Sequence, residues 1–192
     1  MQELFFRVVF VVLMFIAMHG RRRFVHKVMG VKGSLFVKKK REMFLVVLSS
    51  PLMIIPFVYL LTNWLDAYNL NLSFELRLIG VFLFGFAVFL HNWTHLELNL
   101  NWSPFLEIKK TQELITTGPY KHVRHPMYSA FFLWAFAQGI LLSNWVVLII
   151  GVLCIAILYF VRVGDEEKMM LKHFGKKYSN YIKRTGSLLP KF

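Results

Sequence analysis

Cysteine is almost absent from this chain: Cys154 is the only one in 192 residues, and it lies inside an apolar run. One thiol excludes a disulfide framework and a cysteine-rich zinc site, and its setting reads as packing. Acidic residues are scarce too, 10 against 23 Lys and Arg. Charged residues of both signs make up 17% of the chain, against roughly a quarter in soluble domains. There is no G-x-G-x-x-G and no alternation of strand and helix patterns, which excludes a Rossmann domain. Internal repeats and low-complexity stretches are also missing.

What is present is apolar. Hydrophobic residues make up 57%, with 20 phenylalanines. They gather into five runs, roughly 4–18, 43–61, 76–96, 126–142 and 145–161. A helix needs about 20 residues to cross the hydrocarbon, with about 17 as a lower limit. The first run is therefore short and the last two are marginal. The runs lack the alternation of barrel strands, and helices satisfy their own backbone groups in lipid. The expected fold is all-α and integral to the membrane, a single domain over 1–192 with five transmembrane helices. Three spans fill 1–100. The catalytic region, 101–192, holds a C-terminal helical hairpin and an amphipathic cytoplasmic tail.

The formal net charge of +13 would suggest nucleic acid in a soluble chain. Here the bases fall between apolar runs, where anionic headgroups of membrane lipids are the fitting partner, and no nucleic-acid partner is expected. Nine bases, from Arg21 to Arg41 and including Lys32 and Lys38, separate the first two runs. Lys109, Lys110, Lys121 and Arg124 separate the third and fourth, and the tail carries seven from Lys168 to Lys191. The other two loops carry none. The positive-inside rule then sets the N-terminus outside and the C-terminus in the cytoplasm, as expected for a multi-pass protein of the cell (plasma) membrane. Because bases follow the first run and do not precede it, that run reads as a retained span and not a secretory signal.

Pro51 and Pro56 are expected to kink the second run. In 165–184, Leu171, Phe174, Tyr178 and Tyr181 recur at helical spacing among lysines, with a break near Gly175. Two readings stand for this tail: a helix lying in the membrane interface, or one that only packs on the domain. The sequence carries no mark of oligomeric state.

The last two runs set the geometry. They form a hairpin about a two-residue turn, Ser143-Asn144. His125 lies 18 residues before Ser143 and Arg162 lies 18 after Asn144, so the two are expected at one depth, at the cytoplasmic interface. Glu166 is one helical turn beyond Arg162. Arg124, His125, Arg162, Asp165, Glu166 and Glu167 are thus expected to converge, and charge at a membrane edge is costly unless paired or used. The bland reading of such residues is a ring of snorkelling anchors, which suits Lys168 and Lys172. It does not suit Arg162 with Glu166, opposite charges one turn apart. Ahead of the hairpin, Gly118-Pro119 marks a turn. Pro126 suits a first helical position, where free amides make an anion site able to take a carboxylate-bearing ligand.

Leu114-Ile115, Gly118-Pro119-Tyr120, Arg124-His125-Pro126-Met127-Tyr128, Asn144, Glu166-Glu167 and Phe174-Gly175-Lys176-Lys177-Tyr178 with Tyr181 form a combined pattern. It resembles the isoprenylcysteine carboxyl methyltransferase family and its phospholipid methyltransferase relatives, over about the last 95 residues. The chain is similar to a compact, prokaryotic-type member. The resemblance implies S-adenosyl-L-methionine as methyl donor, with S-adenosyl-L-homocysteine as product. It maps cofactor contacts to Gln112, Glu113, Leu114 and Ile115, to Tyr120, to His125, Pro126, Met127 and Tyr128, and to Glu166. It sets Arg162 against the substrate, with Trp134 and Asn144 as further substrate candidates. Arg162 and Glu166 are the catalytic pair it implies. Two positions depart from the family pattern: Ala130 stands where glycine is frequent, and Gln112 where histidine is. A narrower pocket at Ala130 is the expectation.

The acceptor implied is the carboxylate of a prenylated protein's C-terminal cysteine, or a similar lipid-tailed small molecule. Such a carboxylate, with a pKa near 3.5, is ionised at neutral pH and needs a cation but no base. A phospholipid amine is the alternative, with Glu166 or Glu167 as base; a lipophilic thiol is a further option. His91 and His95, four apart, have a metal-ligand spacing. With seven histidines in all and no H-x-x-H-H box, the expectation is no metal. A non-enzymatic scaffold or transporter half is the remaining class, opposed by the concentration of Tyr, His, Arg and Glu at one depth.

Overall fold

Apolar runs free of breakers become long helices, and the basic residues that follow them extend those helices, since Arg and Lys are good helix formers. The computed structural model describes residues 1–29, 34–36, 39–103, 106–109 and 112–191. Three of the loop bases, Lys32, Lys38 and Lys110, lie outside the described residues. The first run becomes α1 (Gln2–Met29), much longer than expected because Arg21, Arg22 and Arg23 continue it. The second becomes α2 (Lys39–Ser49) and α3 (Pro51–Leu61), parted at Ser50. The third becomes α4 (Phe74–Leu98), the fourth α5 (Pro126–Leu141), and the fifth α6 (Trp145–Phe174). The tail adds α7 (Lys176–Arg184).

Among the described residues, four helical stretches are long and apolar enough to cross a membrane: Gln2–His26, Arg41–Leu61, Phe74–Asn101 and Trp145–Phe174. α5 has only 16 residues, about 24 Å at 1.5 Å per residue, short of the roughly 30 Å hydrocarbon. Of the five expected spans, the described residues thus give four of crossing length and one short helix, the fourth, which was one of the two marginal runs. α6 runs on through Glu166 and Glu167 to Phe174, so half of the expected tail helix belongs to it. The break falls at Gly175, whose φ of +54° suits a residue without a Cβ. One small departure from an all-helical plan is β1 (Ser34–Phe36), paired antiparallel with β2 (Glu107–Lys109).

The helix order is fixed by aromatic packing and a polar tie between α3 and α5. Phe6 meets Phe74 at 5.2 Å, Phe10 meets Phe84 at 5.6 Å, and Phe24 meets His95 at 5.0 Å between ring centres. These pairs advance together along both helices, so α1 and α4 run parallel. Pro56 has no amide hydrogen, which leaves the carbonyl of Leu52 without its helical donor. Gln138 of α5 supplies one, its Nε2 donating at 3.2 Å, while its Oε1 accepts from Trp134 Nε1 at 3.2 Å.

The loops sort by charge. At one end Leu70 N donates to Ser143 O at 2.7 Å, and Leu72 N to Ser143 Oγ at 2.9 Å. There the loop before α4 meets the hairpin turn, neither of them basic. At the other end the two basic loops pair through β1 and β2. Large apolar side chains such as Phe15, Phe82, Phe86, Phe89 and Phe160 remain exposed on the helix faces, as lipid-facing positions are.

Candidate active site

Side chains on an α-helix lean toward its N-terminus. α6 begins at the hairpin turn, so Glu166 and Glu167 lean back along it, while Tyr128 in the first turn of α5 leans outward to meet them. Tyr128 donates to Glu166 Oε2 at 3.3 Å. His125 Nε2 lies 3.2 Å from Glu167 Oε1, and its Nδ1 lies 3.9 Å from Glu166 Oε1. Arg124 Nε donates to Glu167 Oε1 at 2.9 Å, and its Nη1 to the carbonyl of Thr185 at 2.5 Å. His125 is thus level with Glu166 and Glu167, about one turn farther along α6 than the equal-count argument expected.

Arg162 leans the other way. Its Nη2 lies 3.2 Å from Oε2 of Glu42 on α2. The expected single zone is therefore two neighbouring clusters: Arg124, His125 and Tyr128 with Glu166 and Glu167, and Arg162 and Asp165 with Arg41 and Glu42. Glu42 escaped the sequence argument. Its signal was a lone acid among the bases that precede the second run.

A cavity of about 410 Å³ opens between α3, α4, α5 and α6, within the range of roughly 300–1,000 Å³ typical of small-ligand sites. Gln112, Glu113, Leu114, Ile115, Tyr120, His125, Met127, Tyr128, Arg162 and Glu166 all line it. Leu52, Met53, Phe131, Ile155 and Leu158 give it an apolar side. Burial, reinforced by the Glu166 charge, pushes the Tyr120 phenol well above its usual range, so Tyr120 contributes a neutral hydroxyl. The segment carrying it is held by α7. Tyr181 donates to the carbonyl of Tyr120 at 2.6 Å, and Tyr178 and Tyr181 are buried while Lys176, Lys177, Lys183 and Arg184 stay exposed. The tail helix packs on the domain.

Several candidates lie elsewhere. Pro126 is buried as the first residue of α5 and does not line the cavity. Trp134 sits in the core against Phe84, 5.1 Å between ring centres. Asn144 is at the far end of the hairpin, where its side chain caps α6 by accepting from Val147 N and donates to Leu65 O at 2.8 Å. Neither Trp134 nor Asn144 reaches the cavity, and both are accounted for by packing and capping. Ala130 is fully buried and outside the lining as well, so it does not narrow the pocket. The amides of Arg124 and His125 donate to the carbonyls of Gly186 and Ser187 at 2.9 and 3.0 Å. The helix-start anion site thus reduces to the amides of Met127 and Tyr128, which have no carbonyl four residues back within α5.

His91 and His95 line the same cavity, their rings 4.4 Å apart. Both nitrogens of His91 and Nε2 of His95 are buried without a hydrogen-bond partner. Among the described residues no group of three or more His, Cys, Asp or Glu side chains could hold a metal ion.

Comparison with known proteins bears on the same region. The model of the isoprenylcysteine carboxyl methyltransferase family matches residues 78–172. The protein-S-isoprenylcysteine O-methyltransferase of Schizosaccharomyces pombe is 36% identical over 81 residues, covering 42% of this chain and 34% of the relative. That of Dictyostelium discoideum is 26% identical over 141 residues, covering 72% of this chain and 59% of the relative. The chain therefore spans between about a third and three-fifths of the length of these curated relatives. A solved structure of the eukaryotic intramembrane Ras methyltransferase of this family superposes with a TM-score of 0.57 at 24% identity, covering 81% of this chain and 54% of that one. That likeness shows a shared fold.

Proposed function

We propose, from the match of residues 78–172 to the isoprenylcysteine carboxyl methyltransferase family model, that this multi-pass membrane protein is an S-adenosylmethionine-dependent methyltransferase. Its acceptor on this reading is a lipid-tailed carboxylate such as the α-carboxylate of a C-terminal prenylcysteine. The observation that carries the proposal is that Arg162 and Glu166, one turn apart on α6, face one cavity. Its other walls are the 112–128 segment and an apolar side. The N-terminus lies outside and the C-terminus in the cytoplasm of the cell membrane, with the site near the cytoplasmic face. Residues 1–100 supply the lipid-facing frame and 101–192 the chemistry.

The residues present fit the cofactor. The cavity has room for a small ligand, and the Glu166 carboxylate, the neutral hydroxyls of Tyr120 and Tyr128 and the sulfurs of Met127, Met169 and Met170 line it. Gln112 through Ile115, Tyr120, His125, Met127, Tyr128 and Glu166 would hold it. When bound, S-adenosylmethionine supplies a methyl group on a positively charged sulfur. Glu166 matches that charge and is itself fixed by Tyr128. Glu167, tied to Arg124 and His125, locks the start of α5 to α6 and so holds His125, Met127 and Tyr128 in the wall. Arg162 fixes the acceptor carboxylate, which needs no base, by paired charged hydrogen bonds. The apolar side takes the lipid tail and excludes water.

The test is transfer of labelled methyl from S-adenosylmethionine to lipid-tailed acceptors with carboxylate, thiol or amine groups. The expected result is methylation of a prenylcysteine carboxylate. Arg162→Ala, in folded protein, is expected to lose it by about 100-fold or more, as removal of one preorganised charge contact does. Wild-type rates in that variant sink the proposal. A lipid amine is the second reading, favoured by one observation: Glu166, a carboxylate able to take a proton, lines the cavity while Arg162 is already paired with Glu42. Methylation of amines alone selects it.

A further inference from the structure

Arg162 does not face the cavity unaccompanied. Glu42, the carboxylate beside it, has 1% of its side chain exposed and sits on α2, outside the family match at 78–172. The other Glu42 oxygen, Oε1, accepts from Arg41 Nη2 at 3.2 Å, and Arg41 Nη1 donates to Asp165. Among the described residues, two guanidiniums and two carboxylates thus form a charge-balanced cluster between α2 and α6. Neutrality suits an empty protein at a membrane edge, where a bare charge is costly. It does not suit recognition of an anion, because Glu42 already engages the arginine.

The two contacts of Glu42 differ in kind. The one with Arg41 is a hydrogen bond. The one with Arg162 is within ion-pair distance but not aligned, and both Glu42 Oε2 and Arg162 Nε are buried without a hydrogen-bond partner. Glu42 is therefore anchored through Arg41 and touches Arg162 by charge alone. A carboxylate entering from the cavity can offer the guanidinium the paired, in-plane hydrogen bonds that Glu42 does not.

We infer that Glu42 is the resident counter-ion of Arg162, a built-in stand-in that the acceptor's carboxylate displaces. Glu42 keeps the arginine aimed at the cavity in the empty protein and remains with Arg41 once displaced. It is a positioning residue that acts through Arg162. It also sets how strongly the site prefers an acid over the neutral ester that methylation produces, and so how readily product leaves. The inference rests on the proposal that the acceptor is a carboxylate.

The experiment measures calorimetric binding of an N-acylated prenylcysteine and of its methyl ester to the full chain in nanodiscs, beside methylation rates for the acid. Glu42→Gln keeps the shape and removes the competing charge. Acid affinity is expected to tighten, and its KM to fall, by about tenfold, the worth of one hydrogen bond to a charged group. Ester affinity is expected to stay at the wild-type value. Glu42→Asp keeps the cluster neutral but draws the carboxylate back by one methylene. It guards against a misfolded Gln variant and should shift the acid-over-ester preference the same way by about threefold, a fraction of that contact. If the wild type prefers acid over ester and neither folded variant raises that preference, the inference is overturned and the carboxylate reading stands. If the wild type binds acid and ester equally, both are overturned.

Discussion

At the residue scale, Arg162 and Glu166 stand one turn apart on α6 and engage different helices, α2 and α5. Arg162 and Glu166 were readable as a charged pair one turn apart because helical periodicity fixes that spacing whatever the fold does. Periodicity does not say where two unlike side chains lean. Glu166 leans to Tyr128 of α5 and Arg162 to Glu42 of α2, and α2 comes from a stretch no hairpin argument reaches. Glu166→Ala is expected to weaken S-adenosylmethionine binding by about tenfold or more, since it removes a charged group from the cavity wall. Calorimetry on the folded variant checks this, and an unchanged affinity removes that role. Gln138 carries a different expectation. Its amide serves two otherwise unpaired groups, Leu52 O beside Pro56 and Trp134 Nε1. Gln138→Leu leaves both buried without partners, at about 1–3 kcal/mol each. The melting temperature in detergent should fall, while cofactor affinity, measured well below it, should hold because Gln138 does not line the cavity.

At the element scale, the apolar runs found the helices but misjudged their ends. Hydropathy stops at the first charged residue, whereas a helix stops where its backbone is broken, so α1 and α6 outrun their apolar cores into Arg21–Arg23 and Glu166–Glu167. The second run was expected to kink at its prolines, and it parts at Ser50, immediately before Pro51. The segment before α5 was legible as a turn because Gly118-Pro119 has few other uses. Its support was not, since Tyr181 of α7 and Glu97 of α4 are far from it in sequence. Gly118 has a φ of +55°, and a Cβ there would fall 2.6 Å from Glu97 Oε2. Gly118→Ala adds backbone strain of about 1 kcal/mol and pushes on the Glu97–Thr117 contact. It should therefore displace Tyr120 and its neighbours from the cavity wall. We expect a severalfold rise in the cofactor's Kd with a smaller loss of thermal stability; a stability loss without a binding change would show that the turn does not position the wall.

At the scale of the whole molecule, loop charge proved more informative than run length. Run length implied five spans with the last two marginal, and α5, at 16 residues, is too short to be one by itself. Alternation of basic and non-basic loops implied that the first and third spans run parallel and that like loops share an end. The Phe6–Phe74, Phe10–Phe84 and Phe24–His95 contacts make α1 and α4 parallel. The 70–72 segment meets Ser143 at one end, and β1 meets β2 at the other. The proposed orientation, with the basic end in the cytoplasm, rests on the positive-inside rule. The near-absence of cysteine makes this testable. Cys154 is buried, and in a Cys154→Ala background two exposed positions, Ala67 before α4 and Lys183 in α7, can each be changed to cysteine. A membrane-impermeant maleimide should label the Ala67 variant in intact cells and the Lys183 variant only after permeabilisation. The opposite pattern would turn the molecule over and place the Arg162–Glu166 cavity at the outer face, away from the cytoplasmic supply of S-adenosylmethionine that the proposed reaction consumes.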